Sequence, residues 1–167
     1  PITPETLEFF HALGLPVCEV YGLTESAASG LANDPRKIRV GTVGQARSGV
    51  EAKIADDGEL LLRSPGIMRG YRGDPEKTSE SLDADGWLYT GDIATMDADG
   101  YVRIVDRKKD MIINSSGKNL APANIENAVR LACPLAGAVV AVGEGQKYIG
   151  ALIVLDREPA ERFAKEN

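Results

Sequence analysis

Four side chains in this sequence have the chemistry to grip a phosphorylated ligand. They are Thr24 and Glu25 in the run Tyr21-Gly-Leu-Thr-Glu-Ser26, Asp92 in Thr90-Gly-Asp92, and Arg107 in Asp106-Arg-Lys-Lys-Asp110. A threonine hydroxyl can donate to a phosphate oxygen, and a glutamate carboxylate is a hard oxygen ligand suited to Mg2+. Asp92 offers acceptors for both hydroxyls of a ribose, and Arg107 offers a planar fork of donors for ribose or phosphate oxygens. Tyr21 adds an aromatic ring, with the flexible Gly22 beside it. A hairpin between Asp92 and Arg107 would return the two to one edge. Residue type alone leaves two readings of that pair, the two sides of a nucleotide site or a surface ion pair on a β-unit.

The elements that must position these groups are legible from turn and cap signals. Thr3 and Pro4 open a helix over residues 5–13, with Leu7, Phe9 and Phe10 on its apolar side and Gly14 as its stop. A short apolar strand, Pro16 to Val20, then runs into the Tyr21 loop, and loops carried on rigid strands are where sites are usually built. From Gly41 to Val105 the chain breaks into short strand-like pieces separated by Asp-Gly turns at residues 56–58 and 97–100, the pattern of a small twisted or barrel-like sheet. One helix interrupts it, capped by Asp74 and started by Pro75. After Asp106 come a strand at Met111–Ile113, a helix opened by Pro122, and two apolar strands over 137–142 and 148–155. The fold class expected is therefore mixed, α/β and α+β, with a β-rich barrel-like part followed by a small α+β unit and a boundary through Asp106–Asp110.

Composition excludes several functions. With 19 Lys and Arg against 25 Asp and Glu, the net charge of −6 disfavours an electrostatic grip on nucleic acid. Cys18 and Cys133 lack metal-ligand spacing and read as two buried thiols of a reducing compartment. The sole histidine, His11, has no nucleophile or acid beside it in sequence, so histidine-based acid/base catalysis is not expected. Ser115 to Asn119 lacks the residues of a P-loop, and the Gly143 to Gly150 stretch precedes a strand rather than the helix of a dinucleotide fingerprint. No apolar run reaches the ~20 residues of a membrane span and no leader pattern opens the chain, which points to a cytoplasmic setting. The chain opens on a helix signal and closes inside a charged helical pattern, so a fragment of a longer protein is expected.

Taken together, three runs in order resemble the adenylate-forming superfamily of acyl-CoA synthetases, luciferases and peptide-synthetase adenylation domains. They are Val20 to Ser26, then Gly41 to Tyr71, then Gly86 to Ile112. The stretch Ser115 to Val129 most resembles long-chain fatty acid CoA ligases. The resemblance implies a reaction of fatty acid, ATP and CoA that gives acyl-CoA, AMP and pyrophosphate through an acyl-adenylate, with ATP/AMP, Mg2+ and coenzyme A as cofactors and substrates. It also implies roles residue by residue. Tyr21 would stack on adenine, with Gly22 a further nucleotide-binding position, Thr24 would contact phosphate, Glu25 would bind Mg2+, Asp92 would hold the ribose hydroxyls and Arg107 would bind ribose or phosphate. Lys109 would be the hinge, and the loop at Gly117 would face CoA. Residues 1–105 would then close the large domain, 106–110 form the hinge and 111–167 begin the small domain. The family's Ser/Thr/Gly-rich phosphate loop has no counterpart here. Its Gly-flanked catalytic lysine is also missing, since Lys165 sits in a helical pattern. This chain alone is therefore expected not to complete adenylation. Peripheral membrane contact through the acyl substrate and self-association through exposed apolar edges are further expectations. Two alternatives stay open: an adenylating enzyme using another acid or a carrier-protein acceptor, and a non-enzymatic module on the same scaffold.

Overall fold

The computed structural model describes residues 2–166 and divides the chain into two compact units, with the boundary between Val105 and Asp106. The first unit opens with helix α1 (Pro4–Ala12), where the Thr3 hydroxyl accepts the Thr6 N–H and Pro4 takes a first-turn position. Leu7 is the residue this helix buries, while Phe9, expected on the apolar side, is exposed and meets Phe10 edge-on. A nine-residue helix makes fewer than three turns, so the arc it can bury is narrow. Strand β1 (Val20–Tyr21) is shorter than the five-residue run expected. Two small strands follow, β2 (Leu31–Ala32) and β3 (Gln45–Ala46), and the three make one antiparallel sheet with β2 in the middle.

The larger sheet holds β4 (Glu51–Ile54), β5 (Glu59–Arg63), β6 (Leu88–Met96) and β7 (Val102–Arg107) in sequence order. Its turns are the Asp-Gly tetrads. The Gly58 N–H closes on the Ala55 carbonyl at 2.9 Å, and the Gly100 N–H on the Asp97 carbonyl at 3.0 Å. Both glycines adopt a positive φ that side chains resist. Between β5 and β6 lies helix α2 (Pro75–Ser81), whose first turn is capped where the Asp74 carboxylate accepts the Lys77 N–H. Leu31, Leu60, Leu62, Ala94 and Val102 form the core, with Tyr21, Val43 and Ile67 packed against it. Strand β5 is buried from Glu59 to Leu62, as a central strand covered on both faces should be.

The second unit carries a two-stranded hairpin, β8 (Ile112–Ile113) and β9 (Asn119–Leu120), then helix α3 (Pro122–Ala132). Strands β10 (Ala136–Val142) and β11 (Gly150–Leu155) pair antiparallel, and helix α4 (Arg157–Glu166) follows. Ala121 precedes α3 without a capping side chain, so Asp106 serves instead: its Oδ2 accepts the Ala123 N–H at 3.1 Å. Val139 and Ala141 are buried while Val140, Val142, Leu152 and Val154 are exposed. Cys18 and Cys133 are free and only half-buried, which corrects the expectation of two buried thiols.

Candidate functional site

The first unit gathers Tyr21, Gly22, Thr24, Glu25 and Asp92. After β1 the chain makes a single 3-10 turn, Thr24–Ser26, held from within by Ser26. Its buried hydroxyl accepts the Leu23 N–H at 3.0 Å and donates to the Leu23 carbonyl at 3.1 Å. Ala27 and Ala28 then take left-handed backbone at φ 51 and 55. Two consecutive non-glycine residues in that region cost energy, and such strain clusters at functional loops. The chain doubles back so tightly that a Cβ on Gly22 would lie 2.6 Å from the Ala28 carbonyl carbon. Thr24 is thereby left exposed at the start of the turn.

Asp92 sits on a bulge. Leu61 pairs with Tyr89 and Glu59 with Ile93, so β6 spends Thr90, Gly91 and Asp92 opposite the single Leu60. Bulges of this kind re-aim side chains. Each residue of the bulge has a local reason. The Thr90 hydroxyl donates to the Leu60 carbonyl at 2.7 Å, Gly91 takes φ 73, and the Gly91 N–H donates to Glu59 Oε1 at 2.8 Å. The result is an Asp92 only 4% exposed, whose Oδ2 accepts the Tyr21 hydroxyl. Asp92 is thus a buried acceptor rather than a surface group.

Two residues of this site escaped the sequence reading. Glu59, itself 4% exposed, braces the bulge, and its signal was an acid opening an otherwise apolar strand, Glu59-Leu-Leu-Leu. Tyr71 donates its hydroxyl to Glu25 Oε1 at 2.7 Å, and the Met68 N–H donates to the Glu25 carbonyl at 2.7 Å. The hydrogen bond to the Glu25 carboxylate, helped by partial burial, raises the Tyr71 phenol above its usual 10.0. Glu25 is thus gripped at backbone and side chain by the segment 68–71.

Among the described residues no three His, Cys, Asp or Glu side chains gather as a metal cage. That donor set, one carboxylate in Glu25 and one hydroxyl in Thr24, fits a Mg2+ carried in on nucleotide phosphates, because Mg2+ is commonly bound through one or two carboxylates plus phosphate oxygens. His11 has a packing contact, its Nε2 lying 2.9 Å from the Val17 carbonyl oxygen.

Arg107 and Lys109 belong to the second unit, so the two residues the sequence pairs across the β6–β7 hairpin fall in different units. Lys109 lies in a 3-10 turn, Lys108–Asp110, and is exposed. Gly117, at φ 76, closes the β8–β9 hairpin. Asn114 shapes that turn, with Oδ1 accepting from the Ser116 N–H, the Ser116 hydroxyl and the Lys118 N–H. The Gly143–Gln146 turn supports it through Ser115 N–H to the Gln146 carbonyl, 2.9 Å.

Comparison with known proteins matches two stretches of the chain. Residues 1–72 match the model described as AMP-binding enzyme, and residues 109–167 the model described as AMP-binding enzyme C-terminal domain. The chain belongs to the AMP-binding, adenylate-forming enzyme family. Its similarity to fadD11 of Mycobacterium tuberculosis strain H37Rv, a protein whose name assigns it provisionally to the fatty-acid–CoA ligases, is 49% identity over 166 residues, 99% of this chain and 29% of that protein. The long-chain-fatty-acid–CoA ligase FadD15 of Mycobacterium bovis is 38% identical over 167 residues, 100% of this chain and 28% of that protein. The chain thus spans less than a third of the length of the curated relatives it matches. Among solved structures, o-succinylbenzoate CoA synthetase (MenE) from Bacillus subtilis in complex with the acyl-adenylate intermediate OSB-AMP superposes with a TM-score of 0.83 at 28% identity, over 100% of this chain and 38% of that one. The same synthetase in complex with ATP and magnesium ion superposes with a TM-score of 0.79.

Proposed function

We propose that this AMP-binding chain is the nucleotide-holding and hinge portion of a fatty-acid–CoA ligase, with long-chain fatty acids as the acid. The observation that carries the reading is the Tyr21 hydroxyl on the buried Asp92 carboxylate. It joins, within the first unit, two residues that the family resemblance assigns to one nucleotide. The names of two similar proteins, both fatty-acid–CoA ligases by name, support the choice of acid and acceptor.

In this reading the Tyr21 ring lies against adenine beside Gly22, and Asp92, aligned by Tyr21, accepts the ribose hydroxyls. Arg107 binds ribose or phosphate, as the family resemblance implies. Thr24 donates to a phosphate oxygen and Glu25 ligates Mg2+, which neutralises charge on the phosphates when bound. The fatty-acid carboxylate attacks the α-phosphorus and pyrophosphate leaves, giving the acyl-adenylate; the CoA thiol, releasing its proton to solvent, then attacks the acyl carbonyl carbon and AMP leaves. An ionised carboxylate needs no base to attack, which suits a site built from fixed donors and a metal ligand. Residues 1–105 close the large domain, Lys109 within 106–110 is the pivot and 111–167 begin the small domain, whose Gly117 loop faces CoA during thioester formation. Activity belongs to the full-length protein and not to this chain alone. A cytoplasmic enzyme would meet its fatty acid at membrane surfaces, and the exposed Val140, Val142, Leu152 and Val154 favour self-association, which light scattering over a concentration series tests.

Pyrophosphate exchange into ATP by the full-length protein tests the core of the reading. Exchange should depend on a long-chain fatty acid and weaken about 10- to 100-fold with Asp92→Asn, the equivalent of one charged hydrogen bond. Exchange with no added fatty acid dependence would overturn it. A second reading keeps adenylation but changes the acid, and it is favoured by the close superposition on an o-succinylbenzoate synthetase. Competition between long-chain and aromatic acids in the same assay separates the two, and free CoA against a carrier protein separates the acceptors.

A further inference from the structure

We propose that Tyr71 is the positioning residue for Glu25: its hydroxyl on Oε1 selects the carboxylate rotamer that meets Mg2+ on the incoming nucleotide. The inference rests on the assignment of Glu25 to Mg2+ made above. A glutamate has three side-chain torsions, and a metal ligand left to sample them loses affinity to the entropy of ordering. Groups that hydrogen-bond a ligating carboxylate orient it, and their loss typically costs 10- to 100-fold in metal affinity.

The geometry is that of a brace. The 2.7 Å bond from Tyr71 to Oε1 and the 2.7 Å bond from the Met68 N–H to the Glu25 carbonyl fix both ends of the residue from one segment. Tyr71 is itself anchored on α2. Its N–H donates to Thr78 Oγ1 at 2.8 Å, and that hydroxyl donates to the Asp74 carbonyl at 2.8 Å. The Lys77 ammonium stands 4.4 Å from the centre of the Tyr71 ring. The approach is close enough that a Cβ on Gly70, at φ 145, would lie 2.7 Å from Thr78 Cγ2. A phenol so placed is a fixed donor, and α2, far from Glu25 in sequence, is what fixes it.

The test is calorimetric binding of Mg·ATP and of AMP without metal to the full-length protein, its Tyr71→Phe and Glu25→Ala variants, and the double variant. Tyr71→Phe should weaken Mg·ATP about ten-fold or more and leave AMP unchanged. In the Glu25→Ala background it should add nothing, because Tyr71 acts through Glu25. Thr78→Ala, which loosens the brace but keeps the phenol, should give the same selective loss in smaller degree and serves if Tyr71→Phe does not fold. Equal loss of AMP and Mg·ATP, an undiminished effect in the Glu25→Ala background, or no selective loss in either variant overturns the positioning role. If Glu25→Ala itself leaves Mg·ATP unchanged, the metal assignment falls and the positioning role falls with it; loss in Glu25→Ala alone sinks only the latter.

Discussion

The hydroxyl of Tyr21 donates to Oδ2 of Asp92, 71 residues further along the chain. The ring and the carboxylate that the family resemblance puts on adenine and ribose are thus one hydrogen-bonded pair. Tyr21→Phe keeps the ring and removes the donor. Affinity of the full-length protein for AMP should fall about ten-fold, since a hydrogen bond to a charged group contributes about 1.5–3 kcal/mol. Affinity for 2′-deoxy-AMP should fall less. Titration of both nucleotides by fluorescence or calorimetry checks this, and equal losses would argue against Asp92 as the ribose acceptor.

Glu59 holds the bulge that aims Asp92, by accepting the Gly91 N–H at 2.8 Å. Glu59→Ala leaves that half-buried N–H without this acceptor. It should lower stability by about 1–3 kcal/mol and weaken AMP binding at the same time. Glu59→Gln, which keeps an acceptor oxygen, should recover most of both. Denaturant unfolding alongside AMP titration gives the comparison.

Gly44 and Gly49 both have positive φ, 86 and 81, yet their surroundings differ. A Cβ on Gly44 would lie 1.9 Å from the Ala32 carbonyl carbon, whereas nothing lies within 4 Å of one on Gly49. Gly49→Ala should cost only the left-handed strain, about 1–2 kcal/mol. Gly44→Ala should cost that plus overpacking, a further ~1–3 kcal/mol, because β2 and β3 must separate. Paired melting curves decide the ranking.

The β6–β7 turn should loosen in acid. Arg39 pairs with Asp97 and, at 2.9 Å, with Asp99, and its guanidinium stacks 4.1 Å from the centre of the Tyr101 ring. Slight burial pushes the Asp97 carboxyl up, but hydrogen bonds from the Tyr101 and Asp99 N–H groups and the nearby Arg39 outweigh it and hold the group below its usual 3.8. A depressed folded value means that the carboxylate contributes stability in full above about pH 3.8, and the contribution disappears as pH falls through the folded value. Amide exchange at Gly100 and Tyr101 should accelerate in that lower window, and Asp97→Asn should make it fast at neutral pH too.

What the sequence determined by itself is what a few neighbouring residues decide. Pro4, Pro75 and Pro122 start helices because a fixed φ and a missing N–H suit a first turn. Gly58 and Gly100 turn hairpins because only glycine enters positive φ without strain. Local patterning erred where neighbours do not decide: β1 is two residues long, and Phe9 is exposed, because burial depends on which distant surfaces arrive. The motif residues Tyr21, Glu25 and Asp92 were legible through their resemblance to a family, but their partners were not. Tyr71 reaches Glu25 from 46 residues away, and Glu59 holds Gly91 from 32. No periodicity encodes such bonds. Tertiary structure alone decides them, because a buried carboxylate or N–H must find a partner wherever the chain has brought one within reach.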